Sequence, residues 1–340
     1  MRISFGGGGT DLPAYYEQYG GLVVSTSIGY TFQTVLNTAP RRDVQILSAE
    51  HLAHLRCGSP EDSASNGDLR LPRAVVDFFN PKRGLLVFLA SEVPPGSGLG
   101  ECGALAVSMI KALSFCCGID LAAGAAADIA CQIQIDKLGM PVGKQDQLAA
   151  AFGGVNRMTF SAEGVSVEAL DLAPETEEAL ERRLMLFFTG VSPSSSNLLH
   201  RLRQRIVDKD PNVLSRLGVL KELASGISTA LEEGELPVFG ELLHRSWLEK
   251  RLLTDGITNA FIDRCYQLAR SHGAVGGKIG GPGGGGFLIL YCPEEHQDTV
   301  IRALKPEGLD WWPLSLDRSG VQLMQAKPWQ RPTWTTSPVR

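Results

Sequence analysis

Three glycine clusters dominate the residues of this chain that could do chemistry. They are Gly6-Gly7-Gly8-Gly9-Thr10-Asp11, Pro94-Pro95-Gly96-Ser97-Gly98-Leu99-Gly100 and Gly280-Gly281-Pro282-Gly283-Gly284-Gly285-Gly286. Each ends or follows an apolar, strand-like run, and the middle one opens directly into a helix-like segment. Bare backbone at a helix start presents unpaired N–H groups and a partial positive charge, which suits a phosphate. Three such loops in one chain point to a site assembled from distant segments. A polar island, Gly143-Lys144-Gln145-Asp146-Gln147, lies between apolar stretches as a site residue cluster would.

The middle loop has a rival reading. Gly98-Leu99-Gly100-Glu101-Cys102-Gly103 matches G-x-G-x-x-G, and Asp120 follows it, so a Rossmann oxidoreductase binding NAD(P) is one alternative. Against it, Ser91-Glu92-Val93-Pro94-Pro95 separates the strand from the first glycine, and Asp120 precedes an alanine-rich helix that it would cap. A Walker A loop also fails, because Gly139-Met140-Pro141-Val142-Gly143-Lys144-Gln145 is one residue short and lacks Ser or Thr. The remaining reading is a phosphate cradle of another design, stiffened by its prolines.

Around these loops the apolar patterning sets out the elements. Residues 22–28 and 30–36 alternate and are β-branched, which suggests a pair of strands. A helix is expected over 71–79, a strand over 84–90, a buried helix over 104–117 and a second, alanine-rich helix over 122–138. A hairpin follows from 153–160 and 165–170, then a strand over 183–189. Residues 197–270 read as mostly helical, with breaks near 234–237 and 255–258. A buried strand at 287–292, a helix at 295–304 and an edge strand at 311–316 complete the pattern, and the alternation implies α+β or mixed α/β in two lobes. The chain begins almost on its first motif, consistent with a short segment upstream of the given frame.

At 340 residues the chain is long enough for two domains, and its 44% hydrophobic and 20% charged content is that of a globular protein. A net charge of -5 argues against a nucleic-acid partner. Seven cysteines without a C-x-x-C pair read as buried free thiols in a reducing compartment. No apolar run is long enough for a membrane span, so a cytoplasmic protein is expected. The six histidines show no ligand spacing.

Residues 94–104 resemble the phosphate-binding motif of the GHMP kinase superfamily, and the other two glycine clusters match its first and third motifs in order and spacing. Arg2-Ile3-Ser4-Phe5-Gly6-Gly7-Gly8-Gly9-Thr10-Asp11-Leu12-Pro13, with the Asp146 island, is similar to the D-glycero-D-manno-heptose 7-phosphate kinase branch. The similarity extends to Ser246-Trp247 and Lys250. It implies an α+β, two-lobed fold: residues 1–180 like the second domain of ribosomal protein S5, residues 181–328 ferredoxin-like, and a frayed tail at 329–340. ATP and sugar would meet between the lobes.

The resemblance also implies roles. Asp146 would accept or orient the proton of the attacking sugar hydroxyl, and Arg2 would help neutralise the transferring phosphate. ATP would lie against Pro95, Gly96, Ser97, Gly98, Leu99, Gly100, Glu101, Cys102 and Gly103, with Gly283, Gly284 and Gly285 pressing from the second lobe. Gly8, Gly9, Thr10, Asp11, Lys144 and Gln145 would hold the substrate. Lys144 and Lys250 would meet a substrate phosphate, the alternative for each being a solvated charge. The implied reaction phosphorylates the anomeric hydroxyl of a heptose 7-phosphate, and an octose 8-phosphate fits the same template.

One departure bears on the metal. The family usually reads Gly-Leu-Gly-Ser-Ser, where a serine helps hold Mg²⁺, and carries a glutamate on the next helix. Here these positions are Glu101, Cys102 and Gln134. A thiol is a poor ligand for a hard cation. Either Glu101 and Gln134, with phosphates and water, hold Mg²⁺ or Mn²⁺, or the chain persists as a catalytically impaired sugar-phosphate or nucleotide binder.

Overall fold

The computed structural model describes residues 1–39, 43–49, 53–57, 69–190 and 195–326; the expected tail at 329–340 lies outside them. Twelve described strands fall into three four-stranded sheets. In chain order they are β1 (Arg2–Gly6), β2 (Gly21–Ser27), β3 (Phe32–Ala39), β4 (Val44–Ser48), β5 (Ala53–Cys57), β6 (Gly84–Ser91), β7 (Val155–Ser161), β8 (Gly164–Ala169), β9 (Leu184–Phe188), β10 (Gly276–Ile279), β11 (Phe287–Tyr291) and β12 (Asp310–Trp312). The sheets run β1-β2-β7-β8, β3-β6-β4-β5 and β10-β11-β9-β12. Every pairing is antiparallel except β4 with β6. That topology is α+β and leaves no room for the parallel, doubly wound sheet that a Rossmann site needs.

The hairpin β7–β8 forms as the alternation implied. The expected pairing of 22–28 with 30–36 does not occur. Both edges of β2 are already taken, by β1 on one side and β7 on the other. After Gly29 the chain enters a different sheet, where β3 pairs with β6 along eight residues. Alternation marks a strand but not its partner.

Helices cover the sheets and supply the site. The helix Glu101–Cys116 starts directly at the middle glycine loop and is buried along most of its length. The expected single helix over 122–138 is α-helical over Ala123–Cys131 and then widens into a π-helical stretch over Gln132–Lys137. Such widening is uncommon and occurs frequently at functional sites. The helix Gln145–Phe152 carries Asp146 in its first turn. In the second half, helices Ser195–Val207, Pro211–Glu232, Leu236–Lys250 and Ala260–Ser271 precede β10.

One apolar cluster joins the halves. Ile3 and Phe5 of β1 pack in the same core as Phe239 and Leu243 of helix Leu236–Lys250 and Phe287 and Ile289 of β11. Phe5 meets Phe239 edge-on at a centroid distance of 5.0 Å. Burying aromatic and aliphatic surface from both halves in one core fixes β1 against the second half. This is what brings the first and third glycine clusters to one place.

The cysteines only partly follow the expectation of buried thiols. Cys131, Cys265 and Cys292 are buried, but Cys102 and Cys117 are exposed and Cys116 is half-buried. Among the described residues, no helix is long and apolar enough to cross a membrane.

Candidate active site

The middle loop turns from β6 into its helix through three left-handed glycines, Gly96, Gly98 and Gly100, with φ of 71°, 80° and 78°. Gly100 stands at the helix N-cap. The Glu101 carboxylate accepts the Gly96 N–H at 3.2 Å, closing the loop on itself. The Leu99 side chain is in the core, so it contributes its backbone only.

The third glycine cluster braces this loop from behind. A methyl group on Gly98 would lie 2.7 Å from the Gly280 carbonyl carbon, so the two backbones touch with no room for a side chain. The Phe287 N–H donates to the Ser97 carbonyl at 3.0 Å. Gly284 N–H is spent on the Ile257 carbonyl at 2.8 Å, and Gly283 packs on Ile257. The loop is thus met by Gly280, Gly281 and Gly286, whereas Gly283 and Gly284, expected to press on the nucleotide, are engaged with Ile257.

Arg2 and Asp146 meet in front of the loop. The guanidinium donates from Nε and Nη2 to Asp146 Oδ1 at 2.9 and 2.6 Å, and from Nη1 to the Gly98 carbonyl at 2.7 Å. Arg2 is buried, and its own N–H donates to the Leu99 carbonyl at 2.9 Å. Gly103 allows the two helices to close: a Cβ there would stand 2.6 Å from Asp146 Cβ.

Beside this pair lies Asp11, 2% exposed. It accepts the Gly9 N–H at 3.0 Å and both the backbone and the side-chain N–H of Gln145, at 3.3 and 3.1 Å. Burial raises its carboxyl above the ordinary range, and the nearby Asp146 adds to this. Asp11, Asp146, Gly8, Gly9, Gln145 and Arg2 all line one cavity between the halves. Its far wall is apolar, from Leu198 and Leu202 to Leu253 and Ile257.

Several expected residues stand elsewhere. Thr10 does not face the cavity: its buried hydroxyl donates to the Gly7 and Leu22 carbonyls at 2.7 and 3.0 Å and accepts the Leu22 N–H at 3.1 Å. Fully buried and with its proton spent on these carbonyls, Thr10 holds the turn instead. Lys144 turns over the Tyr16 ring, 5.3 Å from its centroid. Gln134 is buried, accepts from Gln147 Nε2 at 2.7 Å and donates to the Cys102 carbonyl at 3.5 Å.

Sequence reasoning overlooked Ser4 and Lys278. Both line the cavity, and among the described residues the buried Ser4 Oγ has no hydrogen-bond partner, like Gln145 Oε1. Ser4 could have been found, since Arg2 and Ser4 are two apart on one strand and share a face.

A glycine loop opening a helix, a guanidinium–carboxylate pair in front of it and a cavity with one polar and one apolar wall beyond make a phosphoryl-transfer architecture. The chain belongs to the GHMP kinase superfamily, whose members are ATP-dependent phosphotransferases: the family profile described as GHMP kinases N terminal domain matches residues 70–154, and that described as GHMP kinases C terminal matches 227–309. It is similar to the D-glycero-alpha-D-manno-heptose 7-phosphate kinase of Campylobacter jejuni, 29% identical over 95% of this chain and 96% of that protein. It also shares its fold with a D-glycero-D-manno-heptose 1-phosphate kinase structure from Bacteroides thetaiotaomicron (TM-score 0.75, 23% identity, 96% of this chain and 98% of that one). A galactokinase structure from Lactococcus lactis shares the fold as well (TM-score 0.72, 17% identity, 94% and 92% covered).

Proposed function

We propose that the chain is a sugar kinase that transfers the γ-phosphoryl group of ATP to the anomeric hydroxyl of a heptose 7-phosphate or a similar long-chain sugar phosphate, an octose 8-phosphate included. The observation that carries this reading is the Arg2–Asp146 pair. Both guanidinium contacts fall on Oδ1, and among the described residues no hydrogen bond reaches Oδ2. That oxygen is left to accept the proton of an acceptor hydroxyl, while Asp11 and Gln145 hold neighbouring hydroxyls. Gly8 and Gly9 leave the adjoining wall without side chains, which suits a long acceptor. The named activity of the Campylobacter jejuni relative supports the choice of substrate.

ATP would lie along residues 95–103, with lobes 1–180 and 181–328 closing on it. Magnesium accepts one or two carboxylates and fills its shell with phosphate and water. Glu101 at the helix start fits that demand, with Gln134 adjoining through the Cys102 carbonyl. There the ion would supply charge to the nucleotide phosphates.

A second reading, a binder with impaired transfer, is favoured by the exposed Cys102 thiol and the engaged Gln134 amide. An ADP-release screen over hexose, heptose and octose phosphates, with Mg²⁺ and Mn²⁺, separates the two. Turnover lost in Asp146→Asn is the expected result. Bound ATP or sugar phosphate without Asp146-dependent ADP release would leave the binder.

A further inference from the structure

Two lysines reach the cavity from the second half without a carboxylate partner. Lys278 of β10 donates from Nζ to the Phe5 carbonyl at 3.2 Å. Lys250, the last residue of its helix, donates to the Ile279 and Gly281 carbonyls at 2.8 and 2.6 Å. They are 4% and 9% exposed, and neither is in an ion pair among the described residues. Anchoring strand ends would need only neutral donors, and charge buried without a counter-charge is costly.

Their surroundings point to a missing anion. Arg2 faces both from β1, and Lys250 faces Lys278 from the helix Leu236–Lys250. Asp146 and Asp11 stand on the first-lobe side of the cavity. His244 and Tyr291 sit at the Gly276 end of β10, away from Lys278. Three basic side chains therefore share the cavity, and among the described residues Asp146 is the single carboxylate bonded to any of them. After its carbonyl bonds, Lys250 keeps one N–H and Lys278 two.

We propose that Lys250, Lys278 and Arg2 form an oxyanion site that receives the phosphoryl group in flight between nucleotide and acceptor. This rests on the kinase reading above. The acceptor oxygen bonds to the γ-phosphorus as its proton passes to Asp146 Oδ2. The bond from the β,γ-bridging oxygen to that phosphorus breaks, and its electron pair leaves with ADP. The lysines form no covalent bond; they donate hydrogen bonds to the non-bridging oxygens, where charge collects.

The recognised chemistry is a phosphate oxyanion, which either ATP or the acceptor's own phosphate would present. The geometry favours the nucleotide, because Lys250 holds Gly281 and Gly281 rests on Gly98 of the phosphate loop. Burial, with Arg2 adding to it, lowers the Lys278 ammonium to about 7, and burial, with Lys278 and Arg2, pushes Lys250 well below the ordinary lysine range. Receiving an anion at pH 8 therefore requires proton uptake.

Titration calorimetry of the full chain at pH 8, in buffers of different ionisation enthalpy, reads this directly. The two ligands are ATP without acceptor and sedoheptulose 7-phosphate. About one to two protons taken up per ATP are expected, one for each lysine that the anion recharges. Lys278→Arg, which keeps its charge, should still bind ATP but lose at least about half of that uptake. Lys278→Met should lower kcat by roughly 10²-fold. ATP binding without proton uptake, uptake unchanged in Lys278→Arg, or uptake with the sugar phosphate alone would each overturn the proposal. ADP release that depends on Asp146 yet comes without proton uptake overturns the lysine site and leaves the kinase reading standing.

Discussion

Arg2 grips a single oxygen of Asp146 with two of its nitrogens and spends the third on the Gly98 carbonyl. One side chain thereby ties β1, the phosphate loop and the helix Gln145–Phe152 together. The planar fork of a guanidinium can do this; the point charge of an ammonium cannot reach all three. The consequence is an aspartate held through one oxygen, with no hydrogen bond to the other among the described residues.

Asp146→Asn keeps an oxygen for Arg2 and removes the proton acceptor. Turnover should fall by about 10³-fold, the usual scale for a positioned general base. ATP affinity, measured by calorimetry, should change by less than about threefold. Near-normal ADP release by this variant would remove Asp146 from the chemistry.

Gly98→Ala tests whether the loop is the nucleotide contact. Its φ of 80° is hostile to alanine, and the new methyl would collide with Gly280. Strain of about 1–3 kcal/mol is expected, enough to displace the loop. ATP affinity should drop more than tenfold while the helical far-UV signal persists. Unchanged ATP affinity would place the nucleotide elsewhere.

Much of this site was legible in the chain. Glycine clusters have few reasons to occur three times, and Asp146 sits in a polar island, so both stood out from their neighbours. Lys278 did not. A lone lysine is usually exposed, and its four-residue strand is too short to show a buried pattern. The signal lay in its setting, a lysine between glycines in a run leading into a glycine loop. Thr10 misled for the opposite reason: its hydroxyl suits a sugar equally well, but the tight turn claims it first. Partners of β2 and β3 were not legible because strand pairing is decided by distant segments competing for the same edge.

Ser4→Ala removes a buried hydroxyl that has no partner among the described residues. Stability should therefore be unchanged within about 0.5 kcal/mol, because no internal hydrogen bond is lost. The acceptor's KM should rise roughly threefold to tenfold, the worth of one hydrogen bond, with kcat nearly constant. A fall in melting temperature with unaltered KM would make Ser4 structural.

Cys102→Ser with Gln134→Glu supplies two hard oxygen ligands at the start of the helix Glu101–Cys116. The Mg²⁺ concentration for half-maximal ADP release should fall several-fold. The glutamate enters a site only 1% exposed, so the metal-free protein should lose about 1–3 kcal/mol. An unchanged Mg²⁺ requirement would mean that these positions do not limit metal use.

The buried lysines set a pH dependence of stability opposite to that of activity. Lys278 titrates near 7 in the folded chain and at the ordinary lysine value of 10.5 when unfolded. Between these values the unfolded state holds the extra proton, so stability rises with pH. Lys250, shifted in the same direction, adds to the rise. The amino terminus, lowered to about 6, contributes the same sign up to about pH 8. Cys131, pushed up to about 12, and the other buried thiols act oppositely, but only near and above their ordinary value of 9.0. From pH 7 to 9 the ligand-free protein should therefore gain stability, by at most about 1.4 kcal/mol per unit for each lysine. Chemical denaturation across that range checks it, with Lys278→Met as the control that should flatten the slope. Over the same window kcat/KM for ATP should fall, because the proton that destabilises the empty cavity is the one the phosphate needs. Stability that declines from pH 7 to 9 in the wild type, with the same slope in Lys278→Met, would show that the ammonium is not held at the expense of the fold.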